Sequence, residues 1–122
     1  MRLTAAGRAD PLFRGVGGDT GVLLVNQSHR DEVAAVPPGA TVLAESDRSP
    51  IQSLAIAAHI RTVQFHPEFD GEVTRRLVRS RRAILDEDAR AHGRPDSTEA
   101  LLAATTDTPE SERILSNWLA GL

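Results

Sequence analysis

Apolar residues cluster at four places in the first half of the chain and then change period. Residues 21–26, Gly-Val-Leu-Leu-Val-Asn, form one continuous apolar run. That pattern predicts a strand buried on both faces. Three further strand candidates follow at 40–44, 51–57 and 60–65. Val36-Pro37-Pro38-Gly39 predicts a rigid turn ahead of them. Ser46-Asp47-Arg48-Ser49-Pro50 separates the first two, and Ala58-His59 leaves room only for a hairpin, without the preferred Asn-Gly or Asp-Gly chemistry. From Asp70 to about Ala91 the spacing becomes helical, with Val73, Leu77, Ile84 and Ala91 recurring on one face. Gly93-Arg94-Pro95 predicts its end. Asp96 with Glu99 resembles a capping box before a short helix at 100–104. Thr108-Pro109 predicts the start of a last helix, with Ile114, Leu115, Trp118, Leu119 and Leu122 on its apolar face.

Before the first run lies a segment rich in Gly, Arg and Asp. Asp10-Pro11 favours a turn, Leu12-Phe13 offers an apolar anchor, and Gly15, Gly17 and Gly18 predict a loop. A phosphate-cradling reading of those glycines needs a strand before and a helix after, and the pattern shows neither. The order is thus strands first, helices second. A doubly buried first strand requires helices on both faces, yet few helices precede residue 70, so the chain reads as half of a layered structure.

Composition narrows the chemistry. At 122 residues the chain is expected to be one domain at most. A net charge of −3 gives no global attraction to nucleic acid or an anionic membrane. No apolar run approaches the about 20 residues of a spanning helix, and no signal-peptide pattern is present, so a soluble, cytoplasmic protein is expected. The count of zero Cys removes disulfides, thiolate metal sites and a thiol nucleophile from this sequence. All 14 basic residues are Arg, which removes a catalytic Lys amine. The aromatics are Phe13, Phe65, Phe69 and Trp118, too few for a base-stacking platform; Phe65 and Phe69 read as core anchors.

The stretch Val63-Gln64-Phe65-His66-Pro67-Glu68-Phe69 carries the chemistry. In extended backbone residues two apart face the same way, and a residue preceding proline is pushed out of the helical region. His66 and Glu68 are therefore placed as an imidazole base and an orienting carboxylate, two members of a nucleophilic triad. A capping role for Glu68 at the following helix is the alternative. His29 and Asp31 form a second such pair at another strand exit. Together the four could supply a metal site, if the two strands converge. His59 and His92 read as surface histidines. The Arg75, Arg76, Arg79, Arg81, Arg82 run followed by Asp86, Glu87 and Asp88 reads as a solvated helix face, with Arg82 within reach of Asp86, or as a docking surface for an acidic partner.

Taken together, the blocks resemble a family. Val25-Asn26-Gln27-Ser28-His29-Arg30-Asp31-Glu32-Val33, Val36-Pro37-Pro38-Gly39-Ala40, Leu43-Ala44-Glu45-Ser46, Pro50-Ile51-Gln52 and the His66 stretch are similar, in order and spacing, to the C-terminal half of class I glutamine amidotransferases. The opening residues 3–13 and the closing Ser116-Asn117-Trp118-Leu119 resemble stand-alone members, of the type close to the glutaminase domain of GMP synthase. The resemblance implies an α/β, flavodoxin-like fold, present in part, with 1–122 as the C-terminal portion of the domain. It implies hydrolysis of the glutamine side-chain amide by a Cys-His-Glu triad, with His66 and Glu68 as two of its members, no cofactor and no metal. Backbone around His29, Arg30 and Asp31 would help hold glutamine. The family's nucleophile and oxyanion hole belong to a G-x-C-x-G-x-Q elbow, and no Cys, nor any Ser or Thr in a similar elbow, occurs here. The chain alone is therefore expected to be inactive: truncated, a pseudoenzyme, or complemented by an N-terminal-half protein. The alternatives are a non-catalytic regulatory module that docks on a synthetase, and metal-dependent hydrolysis through His29, Asp31, His66 and Glu68.

Overall fold

Two short elements at the amino terminus escape the periodicity, because neither is long enough to show one. The computed structural model describes residues 1–93 and 97–121. β1 (Arg2–Leu3) runs into α1 (Ala5–Ala9), where the Thr4 hydroxyl caps the helix by accepting the Gly7 N–H at 3.0 Å. Asp10 then caps a 3₁₀ turn at Pro11–Phe13 through the Leu12 N–H, and the turn buries Leu12 and Phe13 as the anchor the sequence predicts.

β2 (Ala40–Glu45), β3 (Ser53–Ile56) and β4 (Ile60–Val63) complete a four-stranded sheet in the order β1-β2-β3-β4, antiparallel at every pairing. The register slips between Val42 and Ala44, so Leu43 is the extra residue of a bulge. The slip has a use. The Leu43 carbonyl accepts the Thr4 N–H at 2.9 Å and the Thr4 hydroxyl at 3.2 Å, which docks α1 onto β2. The predicted hairpin joins β3 to β4, with Ala57 taking a left-handed φ of 52° where glycine is usual.

The run 21–26 departs from expectation. It forms an isolated bridge, Val22 to Arg2, with the Leu23 N–H donating to the Met1 carbonyl, the Leu3 N–H to the Gly21 carbonyl and the Met1 ammonium to the Leu23 carbonyl, and no longer strand. Leu23 is buried at 2% exposure, but Val22 and Leu24 are 54% and 62% exposed. The alternation is that of a segment packed on one face, not two. A run of consecutive apolar residues does not reveal which case applies.

The chain forms two compact units: Met1–Glu68 with the segment from Pro109 onward, and Phe69–Thr108. In the first, Leu3, Leu12, Phe13, Val16, Leu23, Leu43, Ala44, Phe65 and Ile114 form the core. Ile114 belongs to α5 (Pro109–Ala120), whose Asn117 amide donates to the Leu12 and Arg14 carbonyls. Trp118 and Leu119, expected on the apolar face, are 44% and 56% exposed. Arg61 on β4 grips the Asp10 carboxylate at 2.9 Å, with the two side chains 20% and 9% exposed. Arg61→Ala should cost about 1–2 kcal/mol, between the values for exposed and buried pairs. A fall in denaturant midpoint at unchanged m-value would register it.

The second unit replaces the single predicted helix with two, α2 (Gly71–Ser80) and α3 (Arg82–Ala91). At the break the Arg81 N–H is shared by the Leu77 and Val78 carbonyls at 3.1 and 3.2 Å, and the Ser80 hydroxyl donates to the Leu77 carbonyl. No Gly or Pro marks this point, so the sequence does not show it. Asp70 caps α2 through the Val73 N–H. Val73 and Ile84 remain 41% and 60% exposed. α4 (Thr98–Ala104) is capped by Ser97; the predicted cap Asp96, with Arg94, Pro95 and Leu122, lies outside the described residues. Arg82 pairs with Glu99, while Asp86 accepts the Thr98 N–H. Glu72 binds Arg76 at 2.9 Å, so the arginine face is partly neutralised. Among the described residues no helix is long and apolar enough to cross a membrane.

Candidate active site

The exit of β4 is built by three successive constraints. The Gln64 N–H donates to the Gln52 carbonyl at 2.8 Å, which extends the β3–β4 pairing one step past the last strand residue. Phe65, 3% exposed, then anchors the backbone in the core. The His66 N–H donates to the Asn26 carbonyl at 2.9 Å, so the chain cannot swing away from the segment after residue 21. The strand itself stops at Val63, and Pro67 and Glu68 form a turn. Strand alternation is thus not what pairs His66 with Glu68. The turn brings the carboxylate back to the imidazole.

Glu68 Oε1 lies 2.8 Å from His66 Nδ1. A carboxylate only accepts, so Nδ1 carries the proton, and the lone pair of the neutral ring is on Nε2. That is the tautomer a general base requires. The imidazole is half-buried and Glu68 is more exposed. Burial raises the Glu68 pKa, but the hydrogen bond with His66, a backbone hydrogen bond and the His66 charge outweigh it, leaving the carboxyl below its ordinary value of 4.5. A carboxyl with a depressed pKa contributes its full stability above the ordinary value and loses it as the pH falls through the lowered one. In His66→Ala the favourable hydrogen bond and charge both vanish, so the Glu68 titration should move up towards 4.5, as followed by carboxyl carbon NMR.

His29, Arg30 and Asp31 are all exposed and lie in an irregular segment. His29 Nδ1 donates to the Asp31 carbonyl at 2.9 Å, and Nε2 lies 3.1 Å from the Gln27 side-chain oxygen. The expected pairing of His29 with the Asp31 carboxylate is therefore replaced by a bond to its backbone. The segment meets the His66 stretch twice, through Asn26 and through the Gln64 amide, which donates to the Asp31 carbonyl at 3.2 Å. Among the described residues no three His, Asp or Glu side chains converge as metal ligands, so the two pairs do not merge into a four-ligand centre. His92 is exposed and held by Asp88, as a surface histidine is.

Pattern reading did not assign the polar residues behind the site. Gln52 and Ser49 are 1% and 4% exposed, and Gln64 is half-buried between Ser49 and Asp31. Gln52 and Gln64 are polar side chains set into strand-forming sequence, which is a signal, whereas Ser49 stands in a polar turn and carries none.

The family model for Glutamine amidotransferase class-I matches residues 5–82, which include the whole sheet from β2 onward and both His66 and Glu68. The chain belongs to the class I glutamine amidotransferase family. Its α/β fold is part of the flavodoxin-like fold of that family. The chain is 39% identical over 79 residues to a GMP synthase [glutamine-hydrolyzing] of Thermus thermophilus, an overlap of 55% of this chain and 15% of that protein. With the GMP synthase of Xanthomonas axonopodis pv. citri it shares 43% over 63 residues, 49% of this chain and 12% of the other. Gamma-glutamyl peptidase 3 of Arabidopsis thaliana is 31% identical over 81 residues, 64% of this chain and 32% of that protein. The chain thus matches under a third of the length of these curated relatives. The crystal structure of SMU.1228c superposes with a TM-score of 0.73 at 24% identity, covering 98% of this chain and 48% of that one. In this family member, two hydrogen bonds, His66 N–H to the Asn26 carbonyl and the Gln64 amide to the Asp31 carbonyl, join the β4 exit to the 26–31 segment.

Proposed function

We propose that these residues supply the base and orienting acid of a glutamine-hydrolysing site whose nucleophile is carried by polypeptide outside them. The observation that carries the reading is the His66–Glu68 pair, at 2.8 Å and in the base-competent tautomer, within the family match. The zero Cys count puts the thiol elsewhere, whether on a continuous or a separate chain. In the assembled site His66 Nε2 takes the thiol proton, and the thiolate attacks the side-chain amide carbon of glutamine. His66 then returns the proton to the amide nitrogen, and ammonia leaves behind a thioester. Water, deprotonated by the same imidazole, cleaves the thioester to glutamate and restores the thiol. Glu68 holds the ring and stabilises its charged form. Backbone at 29–31 borders the substrate, and the acceptor of the ammonia is the business of a synthetase partner.

The test is ammonia release from glutamine by the chain alone and mixed with a nucleophile-bearing half of a class I amidotransferase. The alone sample should be silent and the mixture active. Turnover by the isolated chain would overturn the assignment of the nucleophile. Binding to the half or to a synthetase with no turnover would favour the regulatory module, with the Arg75–Arg82 face as its contact.

A further inference from the structure

We infer that Ser49 and Gln64 are positioning residues that fix the 29–31 segment against His66. The inference rests on the reading in which that segment borders the glutamine substrate. Its geometry is a relay. The Ser49 hydroxyl donates to Gln64 Oε1 at 2.8 Å, and Gln64 Nε2 donates to the Asp31 carbonyl at 3.2 Å. The orientation of the amide follows from the acceptor at its far end. A backbone carbonyl only accepts, so the NH₂ must face Asp31, and the remaining oxygen needs a donor, which only the Ser49 O–H supplies in this relay.

Ser49 is itself immobilised. Its N–H donates to the Ser46 hydroxyl at 3.2 Å, and its carbonyl accepts the Ser46 hydroxyl at 3.0 Å and the Gln52 amide at 3.2 Å. Gln52 is buried at 1% exposure, so the relay starts from a fixed point. At its other end the relay meets an irregular segment. Residues 23–29 and 31–34 have no regular structure, and Gln27, His29, Arg30 and Asp31 are exposed. Two bonds to the β4 exit bracket them: His66 N–H to the Asn26 carbonyl, and Gln64 to Asp31. His29 Nδ1 shares the same Asp31 carbonyl, which can accept both. Gln64 and His66 are two residues apart, so one short stretch carries the base and locates the substrate-bordering backbone.

The test uses the isolated chain and the mixed halves in parallel. Ser49→Ala removes the donor to Oε1. Gln64→Glu keeps the shape and the Ser49 contact but sets a carboxylate oxygen against the Asp31 carbonyl. In both, NMR order parameters at 27–31 should fall from rigid values to below about 0.6. Trypsin cleavage after Arg30 should accelerate about tenfold, the loss of one hydrogen bond, while β2 and β3 amides keep their order. Ser49→Thr, which retains the hydroxyl, should behave as wild type. In the mixed halves the two damaging variants should raise KM for glutamine about tenfold and leave kcat within about twofold. Loss of order spread evenly over sheet and segment, no change at 27–31, or a Ser49→Thr as damaged as Ser49→Ala would overturn the positioning role. A KM unchanged despite a loosened segment would overturn its link to glutamine. Should the wild-type mixture fail to turn over, the glutaminase reading falls, and the order parameters still decide the relay.

Discussion

His66→Ala is expected to lower kcat of the assembled glutaminase by about 10³-fold or more, with KM for glutamine little changed. A positioned general base contributes about 10²–10⁴, and here the same ring serves both the attack and the thioester hydrolysis. Removing it leaves the thiol with water as its only proton acceptor. Glu68→Gln should cost less, because the ring keeps its place: the His66 N–H still donates to the Asn26 carbonyl and Phe65 still anchors the backbone. What it loses is the carboxylate charge that offsets the ring's positive charge, and an amide NH₂ can turn to His66 Nδ1, so the acceptor-only partner at 2.8 Å no longer fixes the tautomer. An effect of about 10²-fold on kcat would fit that role. Equal and small effects of both substitutions, below tenfold, would reduce the pair to a turn-stabilising contact.

Gly7→Ala should strongly destabilise the chain. Gly7 faces β2 so closely that a Cβ would overlap the Leu43 carbonyl oxygen, which is backbone and cannot rotate aside. That same oxygen accepts from Thr4, so displacing it breaks the bonds that seat α1 on the bulge. Overpacking of this kind costs about 1–3 kcal/mol, and the lost hydrogen bonds add about 1 kcal/mol each. A domain of marginal stability would lose a large part of its total. Thermal unfolding should show a midpoint lower by about 10 °C or more, whereas Gly39→Ala, where a Cβ meets nothing within 4 Å, pays only the strain of its positive φ of 76°. Similar midpoints for the two would contradict the docking of α1 through Leu43.

Much of this was legible in the residues, for reasons that differ element by element. β2, β3 and β4 announced themselves through short apolar runs bounded by Pro and polar turns, and their ends moved by only a few residues. The His66–Glu68 pairing was legible as chemistry but not as geometry. Spacing suggested strand alternation, and the Pro67 turn makes the contact instead. The helical stretch after Asp70 was visible, but its break at Arg81 was not, because ordinary helix formers stand on both sides. α1 is five residues long, too short to show a helical period. The failure at 21–26 is the most instructive. Consecutive apolar residues predict cover on both faces, yet Val22 and Leu24 stand exposed beside buried Leu23. Nothing local distinguishes the two situations. The Ser49–Gln64–Asp31 relay was invisible because a hydrogen-bond partner depends on which loop comes to lie beside it.

The central claim is that His66, held by Glu68, is the base for a thiol these residues do not contain. It is tested most directly by the rate at which a chloroketone analogue of glutamine alkylates the cysteine of a nucleophile-bearing amidotransferase half near neutral pH, followed by mass spectrometry with and without this chain. The account predicts a large acceleration by the wild-type chain and none by His66→Ala, with both binding the half equally well. Equal alkylation rates with the wild-type and His66→Ala chains would contradict it.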